Sequence, residues 1–173
     1  MNKEYFFYSL FLSTLIKMVN IRKGTPQDLP QVLLLIKELA AFEKAPDAVT
    51  NTLEEMKRDG FGDAPVFGLH VAELENKIVG MAIYFVKYST WKGKGLYLDD
   101  LIVSEKYRGR GIGKKLFDAF MEEAKKIEAK QVHWQVLDWN TPAIDFYKKL
   151  GASLEAEWLD CKMTEEQVIS YQP

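Results

Sequence analysis

The sequence predicts a single mixed α/β (α+β) domain, and three observations carry that expectation. Alternating, strand-like runs and runs with helical spacing interleave along a chain of 173 residues, about the size of one domain. Helical runs begin at residues suited to capping, such as Thr25, Thr52 and Asn140. Between one strand and one helix lies "YRGRGIGKKL" (107–116), which holds three glycines within five positions among Arg108, Arg110, Lys114 and Lys115.

The elements follow in order. "VNIRKG" (19–24) reads as a short strand. Thr25, Pro26 and Asp28 form a capping-box-like start to a helix with Leu29, Val32, Leu33, Ile36, Leu39 and Ala40 at 3–4 spacing, ending near 44–46. Thr52 caps a shorter helix that stops at "DGFGD" (59–63). The runs 66–74 and 78–88, joined by "ENK", suit an antiparallel pair, and "KGKG" (92–95) turns into the strand "LYLDDLIV" (96–103). After the glycine loop comes a helix over 112–127, with Ile112, Leu116, Phe120, Ala124 and Ile127 on one face. A strand over 131–137, a helix over 140–151 stopped by Gly151, and strand material over 152–163 complete the chain. Residues 18–173 therefore read as one domain.

Residues 1–17 stand apart. Their apolar stretch, 5–16, is too short to span a bilayer, and its flanks lack the features of a signal peptide. The expectation is an appended apolar segment packed on this or a partner subunit, with a signal-like segment as the alternative. No membrane association is expected.

Composition narrows the function. A net charge of −2 argues against a general nucleic-acid binder, so the basic patch is local. Cys161 is the only cysteine, which excludes an intrachain disulfide and a Cys/His metal cluster. No metal is expected, and a reducing, cytoplasmic setting fits best. His70 and His133 lie in alternating apolar runs and read as packed strand residues.

The glycine loop carries the first chemical signal. Glycine lets backbone amides approach a ligand closely, and a helix start adds free N–H groups and a positive dipole end. Together these suit a phosphate. The spacing Gly-x-x-x-x-Gly-Lys-Ser/Thr is absent, so a nucleoside-triphosphate loop is disfavoured. An ordinary turn with a solvated basic face is the competing reading.

The order of elements and two motifs resemble the GNAT superfamily of N-acetyltransferases. "RGRGIG" (108–113) is similar to its Arg/Gln-x-x-Gly-x-Gly/Ala pattern at Arg108, Gly111 and Gly113, and "NTPAIDFY" (140–147) follows about thirty residues later. The resemblance covers roughly residues 19–163. It is closest to the diamine (spermidine/spermine) and thialysine N-acetyltransferases, through "LIKELAAFE" (35–43), "DGFG" (59–62), "WKGKGLYLDDLIV" (91–103), "YRGRGIG" (107–113) and "WNTPAIDFYKKLGA" (139–152).

The resemblance implies a mixed, largely antiparallel sheet that splays at an acyl-CoA site and is flanked by helices. It implies acetyl-CoA held by Leu101, Ile102 and Val103, by the loop Arg108, Gly109, Arg110, Gly111, Ile112, Gly113 and Lys114, and by Asn140, Ala143 and Tyr147. Acetyl transfer to an alkylamine of pKa about 10.4 requires removal of a proton from the amine and delivery of one to the leaving thiolate. The resemblance gives these roles to Asp99 and Tyr147. Asp99 stands where the family usually carries the longer Glu, which favours a water relay. Successive strand residues face opposite ways, so only one of Asp99 and Asp100 should point at the amine. Alternatively both acids simply meet nearby lysines, and Tyr147 is a core residue. Asn140 is expected to cap its helix.

Substrate contacts implied by the same resemblance are Phe42, Glu43, Trp91 and Asp99. Ser89 replaces an acidic residue of the polyamine enzymes, which favours a shorter diamine or a thialysine-like amino acid. A homodimer is implied as well. A peptide or protein acetyltransferase and a non-catalytic acyl-CoA-binding module are the alternatives.

Overall fold

The protein is described from a computed structural model covering residues 18–172; the segment 1–17, with the packing expected for it, lies outside the described residues. These fall into two compact units that divide between Gln135 and Val136.

The first unit is a five-stranded sheet with helices against it. In chain order come β1 (Asn20–Lys23), a 3-10 turn (Pro26–Asp28), α1 (Leu29–Phe42), α2 (Leu53–Phe61), β2 (Gly68–Leu74), β3 (Lys77–Ser89), β4 (Gly93–Val103), α3 (Ile112–Lys126) and β5 (Val132–His133). Spatial order equals chain order. The first four strands pair antiparallel and β5 joins β4 in parallel. This is the mixed, largely antiparallel sheet expected.

The α1 start obeys its sequence signals through one carboxylate. Asp28 accepts from the Thr25 N–H at 2.8 Å, the Thr25 hydroxyl at 2.9 Å and both terminal nitrogens of Arg22 at 2.7 and 2.8 Å. Those bonds hold it down at about 2. The Nε of Arg22 donates to Glu73 at 2.6 Å, so one guanidinium ties β1, the helix start and β2 together.

Two apolar layers cover the sheet. Leu29, Val32 and Leu35 of α1 join Met56 of α2 over Leu69, Val71, Met81, Ile83 and Ile102. On α3, Leu116, Phe117, Phe120 and Ala124 are buried, and Phe120 meets Tyr84 edge-on at 5.9 Å. Leu35 is buried although the spacing argument passed over it, because α1 presents a wider stripe than the 3–4 rule selects.

His70 packs as expected, stacked on Tyr84 at 5.2 Å, but its Nδ1 is buried without a hydrogen-bond partner among the described residues. Burial lowers its pKa, outweighing the nearby Glu123 carboxylate. The unfolded chain therefore binds a proton that the fold refuses, and stability falls as pH drops below about 6.5. His70→Phe should flatten that acid limb in denaturant titrations between pH 5 and 7; an unchanged limb would assign it to other groups. His133 departs from expectation. It lies on β5 but is exposed, because β5 is an edge strand only two residues long.

The second unit holds α4 (Thr141–Lys149) and α5 (Glu165–Ser170). Gly151 ends the first of these at φ +87°, as its position predicts. The strand expected over 152–163 is absent, and those residues are mostly exposed. Alternation supplies an apolar face, but a strand forms only where a neighbour completes its ladder, and this unit contains none among the described residues. Similarly, the strand expected over 131–137 shrinks to Val132–His133. Among the described residues no helix is long and apolar enough to cross a membrane, and no group of three or more His, Cys, Asp or Glu is placed to hold a metal ion.

Candidate active site

The site begins at an irregularity in β4. Ile83 of β3 lies opposite Asp100, and Tyr84 lies opposite Leu98, which leaves Asp99 as an extra residue. Such a bulge reverses the facing of side chains along the strand. Before it, Leu98 shares Tyr84's face, the one α3 covers. After it, Asp100 and Ile102 share the face of Ile83 and Met81, which α1 covers. Asp99, one step beyond Leu98, turns to that side too. The two carboxylates therefore emerge on the same face, and not on the opposite faces that strict alternation gives. The alternation rule assumes an unbroken ladder.

A third acid joins them. Glu43 caps the C-terminal end of α1 and, together with Asp99, adds negative potential at Asp100. Burial is the larger effect on Asp100, and the combination pushes its carboxyl up to about 6. Asp99 is more exposed, yet loss of solvent pushes it upward as well. Asp100 is the functional candidate that sequence reasoning undervalued. Its signal was present, two adjacent acids inside an otherwise apolar strand.

The bulge also ends the pairing with β5. That ladder stops at Tyr97–His133, two residues short of Asp99, and past it no strand flanks this side of β4 among the described residues. The Ser104 N–H donates to Val79 of β3, so the two-residue alternation turns Ile102 inward and directs the backbone of Leu101 and Val103 to the open edge. Leu101 and Val103 are the outward members of this edge, whereas the Ile102 backbone faces β3. The Val103 carbonyl already accepts from Arg108 Nε at 2.9 Å.

Next along the chain is the glycine loop. Gly109 and Gly111 both sit at φ +74°, and a Cβ on either would meet no atom within 4 Å. Positive φ explains the residue type, and the empty space leaves a cradle. Gly113 lies within α3, where a Cβ would make ordinary contact with Val103 at 3.8 Å. Lys115 N–H makes the first helical bond, to Gly111 at 3.2 Å. The N–H groups of Ile112, Gly113 and Lys114 therefore have no helical acceptor. No side chain caps this end, and its first turn holds no acid. An open edge, a cradle and uncapped amides in succession fit the amide-bearing arm and diphosphate of CoA.

The basic side chains are partly committed. Arg108 also lies over the Phe42 ring at 5.4 Å, Lys114 pairs with Asp118 at 2.5 Å, and Arg110 lies over Tyr107 at 5.6 Å. The loop offers backbone first and charge second.

In the second unit, Asn140 caps α4 as expected, its Oδ1 accepting from Ala143 N–H at 3.3 Å. Tyr147 lies near the other end of that helix, buried, with its phenol pushed up to about 12 by burial. It is fully protonated at neutral pH.

Trp91 is the site candidate that the first unit does not bring to the acids. It stands in the β3–β4 turn, 84% exposed. Asp99 lies at the bulge farther along β4. Ser89 serves the hairpin locally. Its Oγ accepts from the N–H groups of Trp91 and Lys92, both at 3.2 Å, and so closes the turn.

Residues 34–152 match the Acetyltransferase (GNAT) family, a span that runs from α1 through the bulge and the glycine loop to the end of α4. A thialysine N-epsilon-acetyltransferase of Bos taurus is 40% identical over 153 residues, covering 83% of this chain and 90% of that protein. An L-ornithine N5-acetyltransferase of Arabidopsis thaliana is 30% identical over 190 residues, covering 83% of each. Among solved structures, an aminoglycoside acetyltransferase from an uncultured soil metagenomic sample superposes with a TM-score of 0.70 at 26% identity, covering 84% of this chain and 95% of that one. The splayed edge and glycine cradle thus sit inside a stretch whose sequence and fold agree on one origin, and the chain belongs to the GNAT family of N-acetyltransferases.

Proposed function

We propose that the protein moves the acetyl group of acetyl-CoA to a primary amine of a small diamine, polyamine or thialysine-like amino acid, by direct attack in a ternary complex. The carrying observation is the bulge that turns Asp99 and Asp100 to one face beside Glu43, next to the open edge of β4. Three carboxylates suit an acceptor that arrives as a cation, and the thialysine, ornithine and spermidine/spermine acetyltransferase names among its relatives agree.

Leu101 and Val103 would hold the CoA arm and residues 108–114 its diphosphate. Acetyl-CoA supplies the thioester; the chain manages two protons. Asp99 or Asp100, directly or through water, takes one from the ammonium, so that the nitrogen can form its bond to the carbonyl carbon. As the carbon–sulfur bond breaks, Tyr147 donates to the departing sulfur. Given the pKa of about 12, full transfer to an ordinary thiolate of pKa about 8.5 is uphill, so the phenol acts chiefly as a hydrogen-bond donor until sulfur and phenol re-equilibrate with solvent. A thiolate in an equally dry place is also more basic than usual, which narrows the gap. Cys161, the only cysteine, is exposed and lies outside the glycine loop and β4, in keeping with transfer that forms no acyl-cysteine.

A thiol-release assay over a panel of amines tests the reading. Diamines and amino acids with a side-chain amine should release CoA faster than peptides do. Release with peptide amines alone would overturn it.

The acids give a second expected result. Asp100 accepts a proton only when ionised, so at limiting amine the rate should climb as pH rises through about 6. Asp100→Asn should remove that limb and recover partly at high pH, where more amine is already neutral. The same substitution should raise Tm at pH 7. The native carboxyl is shifted up from 3.8 to about 6, so its ionisation opposes folding; this opposition grows between those values and is complete above them. Lower activity with higher stability is the outcome that distinguishes a functional acid from a structural one. A loss of both would assign Asp100 to the fold.

The active form, on the same proposal, is a homodimer. Val86, Tyr88 and Trp91 leave the β3–β4 hairpin apolar and exposed. Sedimentation should give twice the 19.9 kDa chain mass, and a 19.9 kDa species at micromolar concentration would overturn the dimer.

A further inference from the structure

The last two turns of α1 touch the connection from β4 to α3 at two points spaced one turn apart, the second of them in the glycine loop. Glu38 accepts from the backbone N–H of Glu105 at 2.9 Å, where the connection leaves β4. Four residues on, Phe42 lies under the Arg108 guanidinium at 5.4 Å. Residues 38 and 42 share a helix face, so α1 acts as a rail along the loop. Arg108 in turn fixes the open edge through its Nε bond to the Val103 carbonyl. Directly after Phe42 comes Glu43, whose charge reaches Asp100. A chain of contacts thus runs from the cradle proposed for CoA, through Arg108 and Phe42, to the acids proposed for the amine.

We infer that Arg108 is a positioning residue, held between Phe42 and the Val103 carbonyl, that pre-forms the acyl-CoA loop and couples it to the amine end of the site. This rests on the acetyl-CoA reading above. Guanidinium shape matters to the role. The planar group can lie over a ring while its Nε donates along its own plane, which a lysine ammonium cannot reproduce. The Arg108 head is thereby engaged with protein, leaving the loop amides as the main phosphate ligands.

The test is a double-mutant cycle on CoA affinity, measured by calorimetry without amine, using Phe42→Leu, Arg108→Lys and the pair. Phe42 is 38% exposed at the end of its helix, so Phe42→Leu should leave Tm nearly unchanged. The proposed CoA-loop residue that its ring meets is Arg108. The variant should nonetheless weaken CoA binding about two- to five-fold, the worth of an exposed cation–π contact, and should have little further effect once Arg108 is Lys. The amine KM should rise in the same variant. Additive effects, or a Phe42→Leu variant with unaltered or tighter CoA binding, would overturn the coupling. If the wild-type chain itself failed to bind CoA, the acetyl-CoA reading would fall and the inference with it, an outcome separable from an additive cycle.

Discussion

Tyr147→Phe is expected to lower turnover by roughly 100- to 1,000-fold, the usual range for losing one hydrogen-bond donor to a developing negative charge, while CoA affinity stays close to wild type. The ring stays in place, so packing is kept and only the donor is lost. Burial holds the phenol up to about 12, so the proton is present throughout the working range and the loss should be similar at every pH up to about 10. This separates Tyr147 from the acids, whose variants recover as amine becomes neutral. Steady-state kinetics against pH, with calorimetry for CoA, distinguishes the cases. A variant that retained turnover, or lost turnover together with Tm, would make Tyr147 a core residue.

Gly111→Glu should abolish measurable CoA binding. A new carboxylate about 4 Å from a phosphate charge costs about 4 kcal/mol at an effective dielectric near 20, close to a thousand-fold in affinity. Positive φ adds strain of about 1–2 kcal/mol to any residue with a Cβ, and this falls on stability. No atom lies within 4 Å of the added Cβ, so the variant should fold. Gly111→Ala carries the strain without the charge and should lose far less affinity. Gly113→Ala, at a helical position where a Cβ makes ordinary contact, carries neither conformational penalty nor charge. Undiminished CoA affinity in Gly111→Glu would show that the diphosphate binds elsewhere.

Much of this site was legible in the residues. The capping sequences at Thr25, Thr52 and Asn140, the buried stripe of α3 and the stop at Gly151 are local devices, and each has its effect within one or two turns of chain. The glycine loop was legible for the same reason, since positive φ at Gly109 and Gly111 is a property of those residues and their neighbours. What sequence could not decide depended on partners distant along the chain. Pairing with Ile83 and Tyr84 makes Asp99 a bulge, and without that register the alternation rule sends Asp99 and Asp100 to opposite faces. Nothing near Arg108 in the sequence shows that α1 places Phe42 beneath its guanidinium. The run 152–163 reads as a strand until its unit proves to offer no ladder. Local sequence alone therefore determined caps, helix faces and the phosphate-ready loop. Only the tertiary structure decided which carboxylates share a face and how firmly the loop is held, because both follow from contacts between segments that no short window of sequence contains.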